Sequence, residues 1–113
     1  MSIFDSTFKN PSTPQAVTIG TSGGVLTLSK PGNYVVTSYT STSDALTQIS
    51  GLPVGAAVTL YPASGHTITV TNGDNMILAS DLDFVMNNAD DNITLECKSA
   101  GVCREKQGRV SNG

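Results

Sequence analysis

The sequence predicts an all-β fold: a compact sandwich or barrel-like domain of about nine or ten short antiparallel strands, preceded by an extended N-terminal arm. Three observations predict it. Apolar and polar residues alternate with period two from Ala16 onward, as in half-buried strands. The runs are separated by Gly, Pro, Asn, Asp and Ser, the residues that turns select. Ser, Thr and Gly are abundant, whereas Lys and Glu, which build exposed helices, are scarce.

Residues 1–15 stand apart from the rest. Phe4 and Phe8 are isolated among polar residues, and Pro11 and Pro14 remove backbone donors and favour extended chain. Ile3, Phe4 and Phe8 are too apolar for a purely solvated tail, so they are the expected contacts of an arm that docks on a neighbour; a frayed terminus is the alternative. The single domain then spans residues 16–110, with 111–113 as a flexible tail.

Within the domain, Ala16 to Ile19 reads as the first strand and Val25 to Leu28 as the second, across Ser22-Gly23-Gly24. Pro31-Gly32-Asn33 is a turn signal before Tyr34 to Tyr39. Ala57 to Tyr61 and Thr67 to Thr71 flank Pro62-Ala63-Ser64-Gly65, and Asn72-Gly73 is a strong tight-turn dipeptide. Shorter segments follow at Met76 to Leu78, Leu82 to Met86 and Ile93 to Leu95, with Asx-rich separators. A last hairpin runs from Asn92 to Cys97 and back through Val102 to Lys106. Ser43 to Ile49 offers an N-cap and barely one helical turn; Leu46 to Ile49 reads better as strand. An apolar-Thr-apolar triplet recurs at Thr18, Thr27, Thr59, Thr69 and Thr94. It has no fixed period, which argues against a solenoid.

Composition narrows the function classes. The formal charge of −3 disfavours a nucleic-acid binder, which needs a basic face. Four of the six positive charges, Lys98, Arg104, Lys106 and Arg109, gather near the C-terminus, where Glu96 and Glu105 interleave to give a solvated face. The chain begins at Met1 without a charged-then-apolar leader or an apolar run of spanning length, so a soluble product of the cytoplasm is expected, with no membrane partner. At 38% hydrophobic residues in 113, the core is expected to be thin and oligomerisation to add burial.

Groups able to do chemistry are sparse. His66 is the sole histidine, beside a predicted turn and without Cys or carboxylate at ligand spacing, so it reads as a loop residue. No Gly-x-Ser-x-Gly elbow occurs, and Ser22-Gly23-Gly24 precedes no helix that could hold an anion. Asp74, Asp81, Asp83, Asp90 and Asp91 could offer oxygen ligands to Ca²⁺, but they match no EF-hand loop, and turn chemistry accounts for them without metal. No cofactor is expected. Cys97 and Cys103, with five residues between them, do not fit Cys-x-x-Cys redox or zinc sites. Pairing around Ser99-Ala100-Gly101 would set them opposite each other. That leaves two readings, a cross-strand disulfide or, in a reducing cytosol, two packed thiols.

Residues 51–109 resemble a recurrent C-terminal module of phage structural proteins, found in head-decoration, head-fibre and tail-fibre proteins. The resemblance is carried by Leu52 to Leu60, His66 to Val70, Asn75 to Leu78, Asp83 to Met86 and Asp91 to Leu95. The ending from Gly101 to Arg109 is similar to that module's closing Trp-x-Glu-x-x-Arg hairpin, with Cys103 where Trp is expected and Arg109 further along. The resemblance implies a β-rich homotrimer on a virion surface.

The expected function is therefore a non-enzymatic capsid decoration (cement) protein. Its partners would be itself, as a homotrimer, and the major capsid protein. It would be made in the host cytoplasm and placed on the capsid surface. The alternative is a fibre or tail knob for host-surface glycan. Against it stands a poor aromatic supply, Tyr34, Tyr39 and Tyr61 with no Trp. A glycan-cleaving enzyme would need two carboxylates at a defined separation, and no pair is singled out.

Overall fold

A computed structural model of the chain describes residues 14–20, 24–39 and 41–111. These residues form eleven strands and a short 3-10 turn at Ala79–Asp81. In chain order the strands are β1 (Gln15–Thr18), β2 (Val25–Thr27), β3 (Gly32–Thr37), β4 (Ser43–Leu46), β5 (Gln48–Ser50), β6 (Ala57–Pro62), β7 (Thr67–Val70), β8 (Met76–Ile77), β9 (Phe84–Met86), β10 (Asn92–Ser99) and β11 (Val102–Val110). The fold is all-β and compact, as the alternation predicts.

Three sheets enclose the core. The largest has the order β1-β3-β6-β10-β11-β8, a second pairs β2 with β5, and a third runs β4-β7-β9. Here the structure corrects the sequence reading. Five of the eight strand pairings are parallel, β1 with β3, β3 with β6, β2 with β5, β4 with β7 and β8 with β11. The first half of the chain is thus a short parallel coil, each turn stacked on the last, where antiparallel neighbours and no solenoid are expected. Period-two alternation reports which face a side chain takes but not the direction of the neighbouring strand.

The repeat escapes detection because the coil turns are unequal. In the large sheet, residue 16 pairs with 35 and 35 with 61, steps of 19 and 26 residues. The first turn is the shorter one, with no described strand of the third sheet between β1 and β2. Elsewhere the steps are 23 residues, from 25 to 48, and 24, from 43 to 67. The weak helical signal over Ser43 to Ile49 resolves into two strands meeting at a corner, where the Thr47 N–H donates to the Gly24 carbonyl at 2.9 Å.

Inside the coil lies one continuous cluster, including Ile19, Leu26, Val36, Leu46, Ile49, Leu60, Ile68, Met76, Met86, Ile93 and Leu95, each at most 1% exposed. Thr59, Thr69 and Thr94 point the other way, between buried apolar neighbours, and Thr18 and Thr27 are exposed. Thr59 and Thr94, opposite each other on β6 and β10, bring their hydroxyls within 2.9 Å. The triplet marks the outward rows of the sheets.

Two corners require glycine. Gly24 and Gly51 have φ of +82° and +96°. A Cβ on Gly24 would lie 2.5 Å from the Ala45 carbonyl oxygen, and one on Gly51 would lie 2.5 Å from that of Leu28. Both glycines therefore let one turn of the coil sit directly on the next.

The two ends differ. At the C-terminal end the chain reverses: β9 pairs antiparallel with β7, and β10 antiparallel with β6. The Gln48 side-chain amide donates to the Gly101 carbonyl at 3.3 Å, tying β5 to the β10–β11 turn. At the N-terminal end, β1, β2 and β4 are outermost, and no described strand lies beyond them.

Candidate functional site

The closing hairpin gathers the most elaborate side-chain arrangement. Arg109, on β11, donates through Nη1 to the Asp83 carbonyl and through Nη2 to the Leu82 carbonyl, both at 2.9 Å. The same guanidinium pairs with Glu105 at 2.8 Å and lies 5.0 Å from the Phe84 ring centroid. Glu105 in turn accepts the Ala79 N–H at 2.9 Å, and its side chain is only 4% exposed. Burial alone would raise its carboxyl, but Arg109 and the Ala79 N–H outweigh that and hold it below its ordinary value. Glu105 and Arg109 are thus a structural clamp between β11 and the segment leading into β9, rather than members of a solvated face. Glu96 does sit on the outer surface, bridging Arg104 at 3.1 Å and Lys106 at 3.5 Å. Hydrogen bonding from Arg104 and the Lys106 charge lower its carboxyl.

The Asx-rich loops serve their own backbones. Asp83 accepts the Asn72 N–H at 2.8 Å, and the Asn72 side-chain oxygen accepts that of Leu78 at 2.9 Å. Asp91, fully buried, accepts the N–H groups of Asn87 and Asn88 at 3.0 and 3.1 Å. Among the described residues no three ligand-type side chains converge. The turn signalled at Asn72-Gly73 falls two residues later, with Gly73 and Met76 exchanging backbone bonds around Asp74-Asn75.

His66 meets a serine 28 residues away. Its Nδ1 lies 2.8 Å from the Ser38 hydroxyl, which also donates to the Ser41 carbonyl. Ser38 is 3% exposed, so its oxygen is not presented to a substrate. The contact joins the corner after β3 to the corner before β7. Nothing in the local sequence signals it, because it depends on stacking two turns of the coil.

Cys97 and Cys103 are direct register partners on β10 and β11. Both are buried and both are free thiols. Cys97 donates to the carbonyls of Leu52 at 3.4 Å and Ser99 at 3.2 Å. Burial, with the neighbouring Cys97 thiol, pushes the Cys103 thiol up to about 11. The suggested contact residues Ile3, Phe4 and Phe8 lie outside the described residues.

A cleft of about 130 Å³ opens at the unpaired end of the coil, between Gln15 and Val17 of β1, Thr27, Lys30 and Tyr34. It is smaller than a typical pocket for a drug-sized ligand. The Tyr34 hydroxyl beneath it donates to the Lys30 carbonyl at 2.6 Å. No helix among the described residues is long and apolar enough to cross a membrane.

Comparison with known proteins leaves these features to speak for themselves: no family model, curated protein or solved structure matches the chain.

Proposed function

We propose that this chain is a virion structural protein, a capsid decoration protein that binds the phage head as a homotrimer and bridges neighbouring capsomers. The observation that carries the reading is the inequality of the two ends of the coil. At the C-terminal end the coil gives way to antiparallel pairing, β9 on β7 and β10 on β6, and the Arg109 clamp ties β11 to the segment before β9. At the other end β1, β2 and β4 are the outermost described strands, and the arm with its apolar residues precedes β1 in sequence. Strand edges are normally covered or blunted, and the terminal turn of a coil is normally capped. An end without a described cap suits strand addition from another chain.

The resemblance of residues 51–109 to a phage structural module directs this association to a virion surface. Function there consists of burying surface across joints of the shell, which stabilises the assembled state by mass action. Neither the Ser38–His66 contact nor the Asx loops offers a competing chemistry, since each is engaged in holding a corner.

Purified protein mixed with undecorated capsids should saturate at a copy number set by the icosahedral three-fold positions. Light scattering should give three times the chain mass for free protein. Deleting residues 1–10 should weaken capsid binding. A monomer at micromolar concentration that binds cells but not shells would instead place it in host attachment.

A further inference from the structure

We propose that Cys97 and Cys103 form a reversible cross-strand disulfide that locks β11 to β10 when the protein meets an oxidising environment, the dithiol being the form seen here. The argument begins with the ladder. The Cys97 N–H donates to the Ala56 carbonyl at 2.8 Å, on the β6 side, and the Cys103 N–H donates to the Asn75 carbonyl at 3.1 Å, on the β8 side. Neither amide is directed at the other cysteine. The two are therefore a non-hydrogen-bonded antiparallel pair, the kind whose Cα atoms approach to about 4.5 Å with side chains closest. A disulfide spans Cα separations of about 4.4–6.8 Å, so closure needs side-chain rotation and little backbone movement.

Both side chains face the interior, at 2% and 0% exposure, so they occupy the same side of the sheet. The Cys103 thiol also feels the Cys97 thiol directly, which is one cause of its raised value.

The chemistry is thiol–disulfide exchange with a small-molecule disulfide such as oxidised glutathione. One cysteine thiolate attacks a sulfur of the reagent, forming a mixed disulfide and releasing one small thiolate. The second cysteine then attacks the protein-bound sulfur and releases the other. Two protein thiols are oxidised and one reagent disulfide is reduced to two thiols, the protons of the protein thiols passing through solvent to the two released thiolates.

Access is the slow step. Cys103 lies within the core cluster, on a strand whose outer neighbour is β8, only two residues long and paired through Cys103–Met76 and Arg104–Ile77. Local opening of the hairpin, or refolding, is what brings the oxidant to the thiol. The device matches two compartments: thiols persist where the chain is made in a reducing medium, and the lock closes outside it.

Full-length protein should be incubated with oxidised glutathione as folded material, and in parallel refolded from denaturant in its presence. The expected product is a chain with no inter-chain disulfide that has lost the mass of two hydrogens, with a linked Cys97–Cys103 peptide and a circular dichroism spectrum like that of the reduced form. Its thermal midpoint should rise by several degrees and fall back on adding dithiothreitol. The midpoint of a Cys97→Ser, Cys103→Ser double variant should ignore the oxidant. Refolded protein that still titrates two thiols, carries glutathione or forms linked dimers would overturn the proposal. So would a double variant whose midpoint shifts equally.

Discussion

Arg109 reaches four groups at once, the Glu105 carboxylate, the Phe84 ring and the carbonyls of Leu82 and Asp83. Arg109→Ala removes all of these and leaves Glu105 charged and buried. Breaking a buried pair in this way costs about 3 kcal/mol, so denaturant unfolding at pH 7 should show a loss of that order. The loss depends on pH in a defined direction. Because the Glu105 carboxyl is lowered in the folded protein, its contribution is complete above the unfolded value near 4.5 and disappears as pH falls through the folded value. In the variant the same carboxyl, buried without its cation, is more easily protonated. The gap between wild type and variant should therefore narrow as pH falls below about 4.5, when unfolding is measured at each pH. A gap that stays constant would assign Arg109's effect to the ring and carbonyl contacts alone.

Among the elements, the corners of the coil are the most demanding. Gly51→Ala and Gly24→Ala each combine a positive φ with a backbone oxygen 2.5 Å from the new methyl, so the neighbouring turn has to move. Gly55 has a similar φ of +92°, but nothing lies within 4 Å of its Cβ position. Gly55→Ala should cost only the backbone strain of about 1 kcal/mol, and the two corner variants at least twice that. Chemical denaturation of the three variants reads the difference, and equal losses would mean that the turns are not in close contact. These corners also show the limit of reading strands from alternation. Val25, Leu26 and Thr27 are clearly legible as a strand, whereas for their parallel partners Gln48 and Ile49 the strand reading is only slightly better than a helical turn. Short strands around a corner carry too few residues for either period to dominate.

For the molecule as a whole, the expectation of a thin core needs revision. One chain encloses a continuous apolar cluster, and no buried side-chain nitrogen or oxygen among the described residues lacks a partner. The surfaces left for association are the strand edges and exposed apolar side chains such as Val54 and Leu82. The same inequality orders local stability. Strands β6, β7 and β10 are paired on both sides, while β1 is paired on one. Native-state hydrogen exchange should find the slowest amides in β6, β7 and β10 and markedly faster exchange in β1, because edge strands open at lower cost. Formation of the proposed trimer should slow exchange in β1, β2 and β4 selectively. Uniform protection on dilution and concentration would argue against that end as the contact.

The strand class, most strand positions, the outward threonine rows and the juxtaposition of Cys97 with Cys103 are local properties. Alternation, turn residues and a short hairpin loop are enough to specify them. The sense of pairing, the stacking of turns of unequal length, the Ser38–His66 contact and the Arg109 clamp are not local. They join residues tens of positions apart, and their spacing depends on how many corners each turn of the coil contains. The all-β conclusion with which the sequence began therefore holds, while its architecture, a parallel coil closed at one end by an antiparallel hairpin, emerges only when the turns are laid on one another.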